Sequence, residues 1–286
     1  MAKSNAPARR GGRKIRGPRL RKGAMRSAIK NEVKSVLTKA SETKFVTFYS
    51  GGTGSTNTPY PGAFTPQNGL ISTNNSDIKL LVPFTKTGIE DWNRIGSRIQ
   101  PTRLVVDIDV SLPDGFEVGP TQDINVVIYI LSHRTLKDYL SLFANNDFTQ
   151  LLDSGDGVTR RFAGNAVDDS LPVFSTYYKL HKKIVVPLRS SGLSAPSTAG
   201  LPYAIGNNSA PYARRLSIDC TKYLPKTLLY NELNNGGTAQ SATFASNSSL
   251  FMAVGSYNMG LEPQPATSPP TQFIVQYVSK MSFKDM

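Results

Sequence analysis

The sequence predicts an all-β fold: a single eight-stranded jelly-roll sandwich with long inter-strand loops, preceded by a disordered basic N-terminal arm. Three observations predict it. From residue 45 onward, short runs rich in Val, Ile, Tyr, Phe and Thr alternate with loops rich in Gly, Pro, Asn and Ser. In 104–110, Leu104, Val106, Ile108 and Val110 alternate with Val105, Asp107 and Asp109, the period-two pattern of a strand with one wetter face. Strands do not alternate with long helical patterns, which argues against a parallel α/β sheet.

The arm comes first. The 286 residues include 33 Lys or Arg and 20 Asp or Glu, for a net charge of +13. Residues 1–44 hold 14 basic and 2 acidic residues, a net +12, and the first acid is Glu32. Residues 45–286 hold 19 basic and 18 acidic residues, a net +1. The arm is too poor in apolar residues to offset its chain entropy, so it is expected to be disordered when free. The body is long enough to bury roughly 70–75% of its unfolded surface without staples.

Residues 9–22, RRGGRKIRGPRLRK, interrupt their charges with glycine and proline, which makes a flexible cation rather than a helix. Such a run neutralises phosphates by counterion release with little sequence preference, and it also fits a nuclear localisation signal. The candidate nucleic-acid-binding residues are Arg9, Arg10, Arg13, Lys14, Arg16, Arg19, Arg21, Lys22, Arg26 and Lys30, and the first eight are the candidate nuclear localisation residues. Residues 24–40 place Met25, Ile29, Val33, Val36 and Leu37 at helical spacing, away from Arg26, Lys30, Lys34 and Lys39. That predicts a short basic amphipathic helix, packed on the body or a neighbouring subunit, or lying on a membrane surface. The domains expected are therefore 1–43, the arm, and 44–286, the sandwich.

The strands expected are 44–50, 101–112, 123–132, 173–187, 212–219, 226–231, 249–256 and 272–283. The stretch 135–152 reads as one or two short helices inserted between strands. Two four-stranded sheets packed face to face accommodate eight such strands, and the jelly roll is the common solution. An immunoglobulin-like sandwich is the competitor, but its turns come every 8–12 residues, and the gaps 51–100, 133–172 and 188–211 are far longer. Long excursions suit loops that carry subunit contacts or surface recognition.

Chemistry is sparse. The single cysteine, Cys220, excludes an intrachain disulfide and a Cys-based zinc site. No apolar run approaches the ~18–20 residues of a membrane span, and the N-terminus lacks the apolar core of a secretory signal. The expected class is soluble, intracellular when made and attached to a polyanion, with no membrane insertion and no cofactor. GGTGST at 51–56 lacks the Lys-Ser/Thr of a phosphate loop. The glycosylation-like tripeptides at Asn74, Asn207 and Asn247 are read as chance. His133 ends a strand, and His181 sits beside Lys182 and Lys183, where cations lower its pKa. No catalytic motif is present, so no catalytic residues and no metal ligands are assigned and no enzyme activity is expected. Asp107 with Asp109, Asp153 with Asp156, and Asp168 with Asp169 are weak calcium candidates against a solvated strand edge or loop. The body cations Arg94, Arg98, Arg103, Arg160–Arg161, Lys182–Lys183 and Arg214–Arg215 either extend the cationic surface or pair with body acids.

These residues resemble a family. GIEDWNRIGSRIQPTRLVVDIDV, with Arg94, Gly96, Arg98 and Ile99, looks like the Arg-x-Gly-x-x-Ile segment entering a long strand in capsid proteins of circular Rep-encoding single-stranded DNA (CRESS-DNA) viruses, the circovirus-like coat proteins. The arginine-rich arm running into a first strand at Lys44–Tyr49, the region VFSTYYKLHKKIVVPL, and the ending with Phe283 and Asp285 are similar to that group. The resemblance spans most of 9–286 and rests on the order of features, and loops 51–76 and 188–211 depart from it.

The resemblance implies a jelly roll that self-assembles, about sixty copies in the smallest case, into an icosahedral shell with the arm inside. Sixty arms of +12 would neutralise on the order of 700 phosphates. It implies single-stranded nucleic acid, copies of the chain itself and a host nuclear import receptor as partners, with the virion and the host nucleus as locations. Phe64, Trp92, Leu201, Tyr203 and Tyr212 are candidate inter-subunit contacts. The alternatives are a capsid protein of a small positive-strand RNA virus, a cellular nucleic-acid-binding β-sandwich protein, and a carbohydrate- or receptor-binding sandwich with an incidental tail.

Overall fold

The computed structural model describes residues 26–27, 29–33, 42–49, 71, 78–91, 93–111, 123–155, 157–189, 213–231, 244–258 and 273–286. The chain divides into two units, Met1–Glu42 and Thr43–Met286. In the first, residues 26, 27 and 29–33 are helical (α1), and Ile29 and Val33 stand 55% and 52% exposed. The other residues of the helix expected over 24–40 lie outside the described residues. So do loop residues 51–70 and 190–211.

The second unit is mostly β, with antiparallel sheets. Its strands are β1 Thr43–Tyr49, β2 Lys79–Leu80, β3 Arg98–Ser111, β4 Asp123–His133, β5 Leu152–Asp153, β6 Thr159–Arg160, β7 Tyr178–Arg189, β8 Ala213–Asp219, β9 Leu228–Leu229, β10 Leu250–Asn258 and β11 Ile274–Asp285. One sheet runs β1-β11-β3-β8 with β9 beside β3, a second runs β2-β10-β4-β7, and β5-β6 form a small ribbon. Seven of the eight expected strands are long strands of the two main sheets. The eighth, 226–231, holds only β9 and the bridging residue Tyr230. The member the periodicity missed is β2, two residues long.

In the first sheet one face is buried and the other wet. Leu104, Val106, Ile108 and Val110 of β3 are buried, as are Val275, Tyr277, Met281 and Phe283 of β11. In the second sheet, β4 is buried from Ile124 to Leu131 and β10 from Leu250 to Ser256, so both faces are covered. A single apolar cluster draws side chains from both sheets. Two side chains of β11 tie the sheets directly: Tyr277 Oη donates to Leu80 O at 2.9 Å, and Ser279 Oγ donates to Leu81 O.

The segment between β4 and β7 covers the second sheet's other face. Helix α2, Tyr139–Asn145, starts at Asp138, whose side chain accepts from Ser141 N. A 3-10 turn follows at Phe148–Gln150, within the stretch expected to be helical. A further helix, α3 Ala166–Ser170, was not expected from periodicity; it opens with a capping box between Asn165 and Asp168. Phe148 packs on Phe251 and Phe162 meets Tyr129 edge-on, at centroid distances of 6.2 and 6.1 Å. The expected strand 173–187 begins only at Tyr178, because 175–177 form a turn.

Candidate nucleic-acid interface

Of the predicted arm residues, Arg9, Arg10, Arg13, Lys14, Arg16, Arg19, Arg21 and Lys22 lie outside the described residues. Arg26 and Lys30 lie on α1, four residues apart and both exposed, which places them on one helix face. The proposed subunit-contact residues Phe64, Trp92, Leu201, Tyr203 and Tyr212 also lie outside the described residues, as does Asp156.

The body cations divide sharply. Arg160 pairs with Asp168 at 2.8 Å, Lys183 with Asp169 at 2.6 Å, Lys280 with Asp107 at 2.8 Å and Arg215 with Asp109 at 3.6 Å. Asp107 and Asp109 therefore each face a cation, and the hydrogen bond from Lys280 holds the Asp107 carboxyl below its ordinary range. Each doublet noted in the sequence splits. One member takes an acid, while Arg161, Lys182 and Arg214 stay exposed. Arg94 is buried, bonds to Gly96 O and lies 4.5 Å from the Tyr230 ring centroid, so it holds its loop together. Ile99 is fully buried and Arg98 exposed. Among the described residues no group of three or more His, Cys, Asp or Glu is placed to hold a metal ion. Cys220 is free and buried, and burial pushes its thiol up to about 11. No helix among the described residues is long and apolar enough to cross a membrane.

Lys179 and Lys182, exposed cations of the second sheet, lie on one face, and a β-bulge puts them there. In the register of β4 with β7, Lys182 lies opposite Ile130 and Leu180 opposite Leu131, leaving His181 without a partner residue. Beyond the bulge Lys179 lies opposite Ser132. Directly opposed residues share a face, and so do residues two apart on a strand. Lys179 and Lys182 thus project from the same face, although three residues apart. His181 Nε2 and Ser132 Oγ, 2.9 Å apart, bring the imidazole to that face too. Lys183, opposite Tyr129, is turned to the other face, where it meets Asp169. A bulge re-aims side chains in this way. In an unbroken strand Lys179, His181 and Lys183 would share a face and Lys182 would leave it.

The His181 ring lies 4.5 Å from the ring of Tyr223, in the 3-10 turn Thr221–Tyr223 that follows β8. Lys222 Nζ sits 5.2 Å from the same Tyr223 centroid. Burial, then the charge of Lys179, pushes His181 down to about 4. Lys182 and Lys183, the neighbours that the sequence points to, are not the cause: burial comes first and Lys179 is the cation that acts. Arg134 N donates to Tyr177 O at 2.7 Å, and Lys137 Nζ donates to His133 O at 2.9 Å. Burial lowers the Lys137 pKa, and the nearby charges of Arg134 and Lys179 lower it further. Arg134, Lys137, Lys179, Lys182 and Lys222 are all exposed, and none forms an ion pair among the described residues. The doublet Lys182–Lys183 was visible in the sequence, but only the long-range register shows which member shares a face with Lys179.

No known family model matches the chain, and no curated protein matches it.

Proposed function

We propose that this chain is a viral capsid protein of the CRESS-DNA kind, which self-assembles into a small icosahedral shell and packages a single-stranded circular genome through its Arg/Lys-rich arm. The observation that carries this reading is the division of charge: +12 on residues 1–44 against +1 on residues 45–286. A dense run of cations condenses a strand without reading it. A nearly neutral body can pack against copies of itself without strong mutual repulsion.

The strand pairing supports a jelly roll as the finer description of the body. Set aside the short β5, β6 and β9. The first strand then pairs with the last, the second with the last but one, the third with the last but two, and the fourth with the fifth. A long hairpin rolled into two sheets has this winding. Large apolar side chains exposed on the body also support subunit contacts: Phe45 at 66%, Ile89 at 96% and Ile95 at 65%. In this reading the protein is not an enzyme. The run Arg9–Lys22 doubles as an import signal for assembly in the host nucleus.

Electron microscopy of the purified full chain tests the proposal. Closed particles of uniform diameter holding nuclease-resistant nucleic acid are expected, and digestion of the released strand by DNase rather than RNase. Removing residues 1–22 is expected to abolish packaging while shells still form. A monodisperse monomer at high concentration with added single-stranded DNA overturns the capsid reading. Packaging that survives the truncation overturns the role of the arm, and an RNase-sensitive genome moves the chain to the RNA-virus alternative.

A further inference from the structure

We propose that the body carries its own contact for the packaged strand: a cationic strip formed by Lys179, Lys182 and Lys222 around the His181–Tyr223 ring pair, which binds the phosphate backbone and stacks a base. The proposal rests on the capsid reading for the identity of the strand.

Three observations carry it. The first is economy of charge. Arg160, Lys183, Arg215 and Lys280 are matched to acids, whereas the strip's three lysines have none among the described residues. Like charges held together raise the free energy of the folded body until an anion neutralises them. Among the described residues, Asp219 feels the charge of Lys222: its pKa is lowered first by its bonds from Thr221 and then by the charges of Arg103 and Lys222.

The second is construction. The strip depends on a bulge that turns Lys182, rather than Lys183, to the side of Lys179. Three independent pieces of chain meet there: β4 through Ser132, β7 through His181, and the turn after β8 through Tyr223. The third is the mixture of types. Two rings are in contact, with the Lys222 ammonium group 5.2 Å from one of them. His181 titrates far below neutral pH, so its ring acts there as a flat uncharged surface. Cations that track a backbone beside rings that stack bases are the recurring parts of single-strand binding sites.

The test uses the full chain, held below the concentration at which particles form, and a fluorescent oligothymidine. Affinity is measured as a function of salt by anisotropy. Each phosphate contact contributes about 0.7 to the slope of log affinity against log salt for single strands, so Lys179→Gln, Lys182→Gln and Lys222→Gln together are expected to lower the slope by about 2. These side chains are exposed, so the triple variant is expected to keep its fold, which its circular dichroism checks. An oligonucleotide carrying 5-iododeoxyuridine is expected to cross-link to Tyr223. An unchanged slope with cross-links confined to residues 1–42 overturns the strip and leaves the capsid reading standing. Loss of heparin binding in the triple variant, with the oligonucleotide slope unchanged, also overturns it and assigns the strip to a sulfated glycan. Absence of any oligonucleotide binding by the unaltered chain overturns both the strip and the reading on which it rests.

Discussion

Lys44 Nζ lies 3.1 Å from Asp285 Oδ2, which clamps the second residue of β1 to the last residue of β11. The same ammonium donates to Asn93 O at 2.9 Å, and Asp285 Oδ1 accepts from Ile95 N at 3.2 Å. One ion pair therefore fixes the first strand, the last strand and the loop that holds Arg94. Lys44 is 6% exposed, so removing its partner leaves a charge with little water. Asp285→Asn is expected to cost about 2–4 kcal/mol, near the lower part of the range for broken buried pairs because Asp285 keeps some solvent. Lys44→Met, which removes the buried charge itself, is expected to cost less. Urea unfolding of both variants checks the order.

Tyr277 and Ser279 are expected to hold β2 in place. Tyr277→Phe and Ser279→Ala each remove a donor to a carbonyl of the segment Leu80–Leu81 and leave that oxygen buried. Each is expected to destabilise by about 1–3 kcal/mol. Hydrogen exchange is the sharper readout: amides of residues 78–82 are expected to lose protection before those of β3.

Asp168 is fully buried and accepts from Ala163 N at 2.7 Å while pairing with Arg160. Asp168→Ala leaves an amide and a guanidinium without their anion. It is expected to cost about 3 kcal/mol or more. Proteolysis is expected to nick the segment 154–172 in this variant and not in an exposed control such as Asp147→Ala.

The two histidines set a pH window. Burial lowers His181 to about 4 and also lowers His133, with Lys137 adding to the latter. A histidine is ordinarily protonated below about 6.5 in an unfolded chain. As pH falls from there toward 4, the unfolded state takes up protons that the folded state refuses, and stability is lost. The His181 contribution is full well above pH 6.5 and stops changing below about 4. Denaturant midpoints between pH 7 and pH 4 are expected to fall, and His181→Gln is expected to flatten that slope.

Much of this architecture was legible locally. The alternation from Leu104 to Val110 announced β3, because one face meets the core and the other meets Lys280 and Arg215. Runs such as 123–132 announced a strand, though not that both its sides are covered. What escaped was set by distant partners. β2 carries no periodicity in two residues and is held by hydroxyls of the facing sheet, 197 and 198 positions away. Asn247, read as a chance tripeptide, accepts from Leu229 N and donates to Thr227 O, and so fixes β9. The cationic strip escaped for the same reason: the bulge at His181 exists only in the pairing of β7 with β4. The doublets Arg160–Arg161 and Arg214–Arg215 looked alike in sequence, and their acids, eight and about a hundred positions away, decided which member stays free.

The pairing of β1 with β11 has a topological consequence. Thr43 lies directly opposite Lys284, so the chain enters and leaves the β unit side by side. Such a body is nearly a closed ring of chain, interrupted at one place. A few residues linking Met286 to Thr43 would complete the circle, and new ends could be cut in a loop elsewhere without disturbing either sheet. The attachment point of residues 1–42 is then a matter of wiring, separable from the pairing of the two sheets.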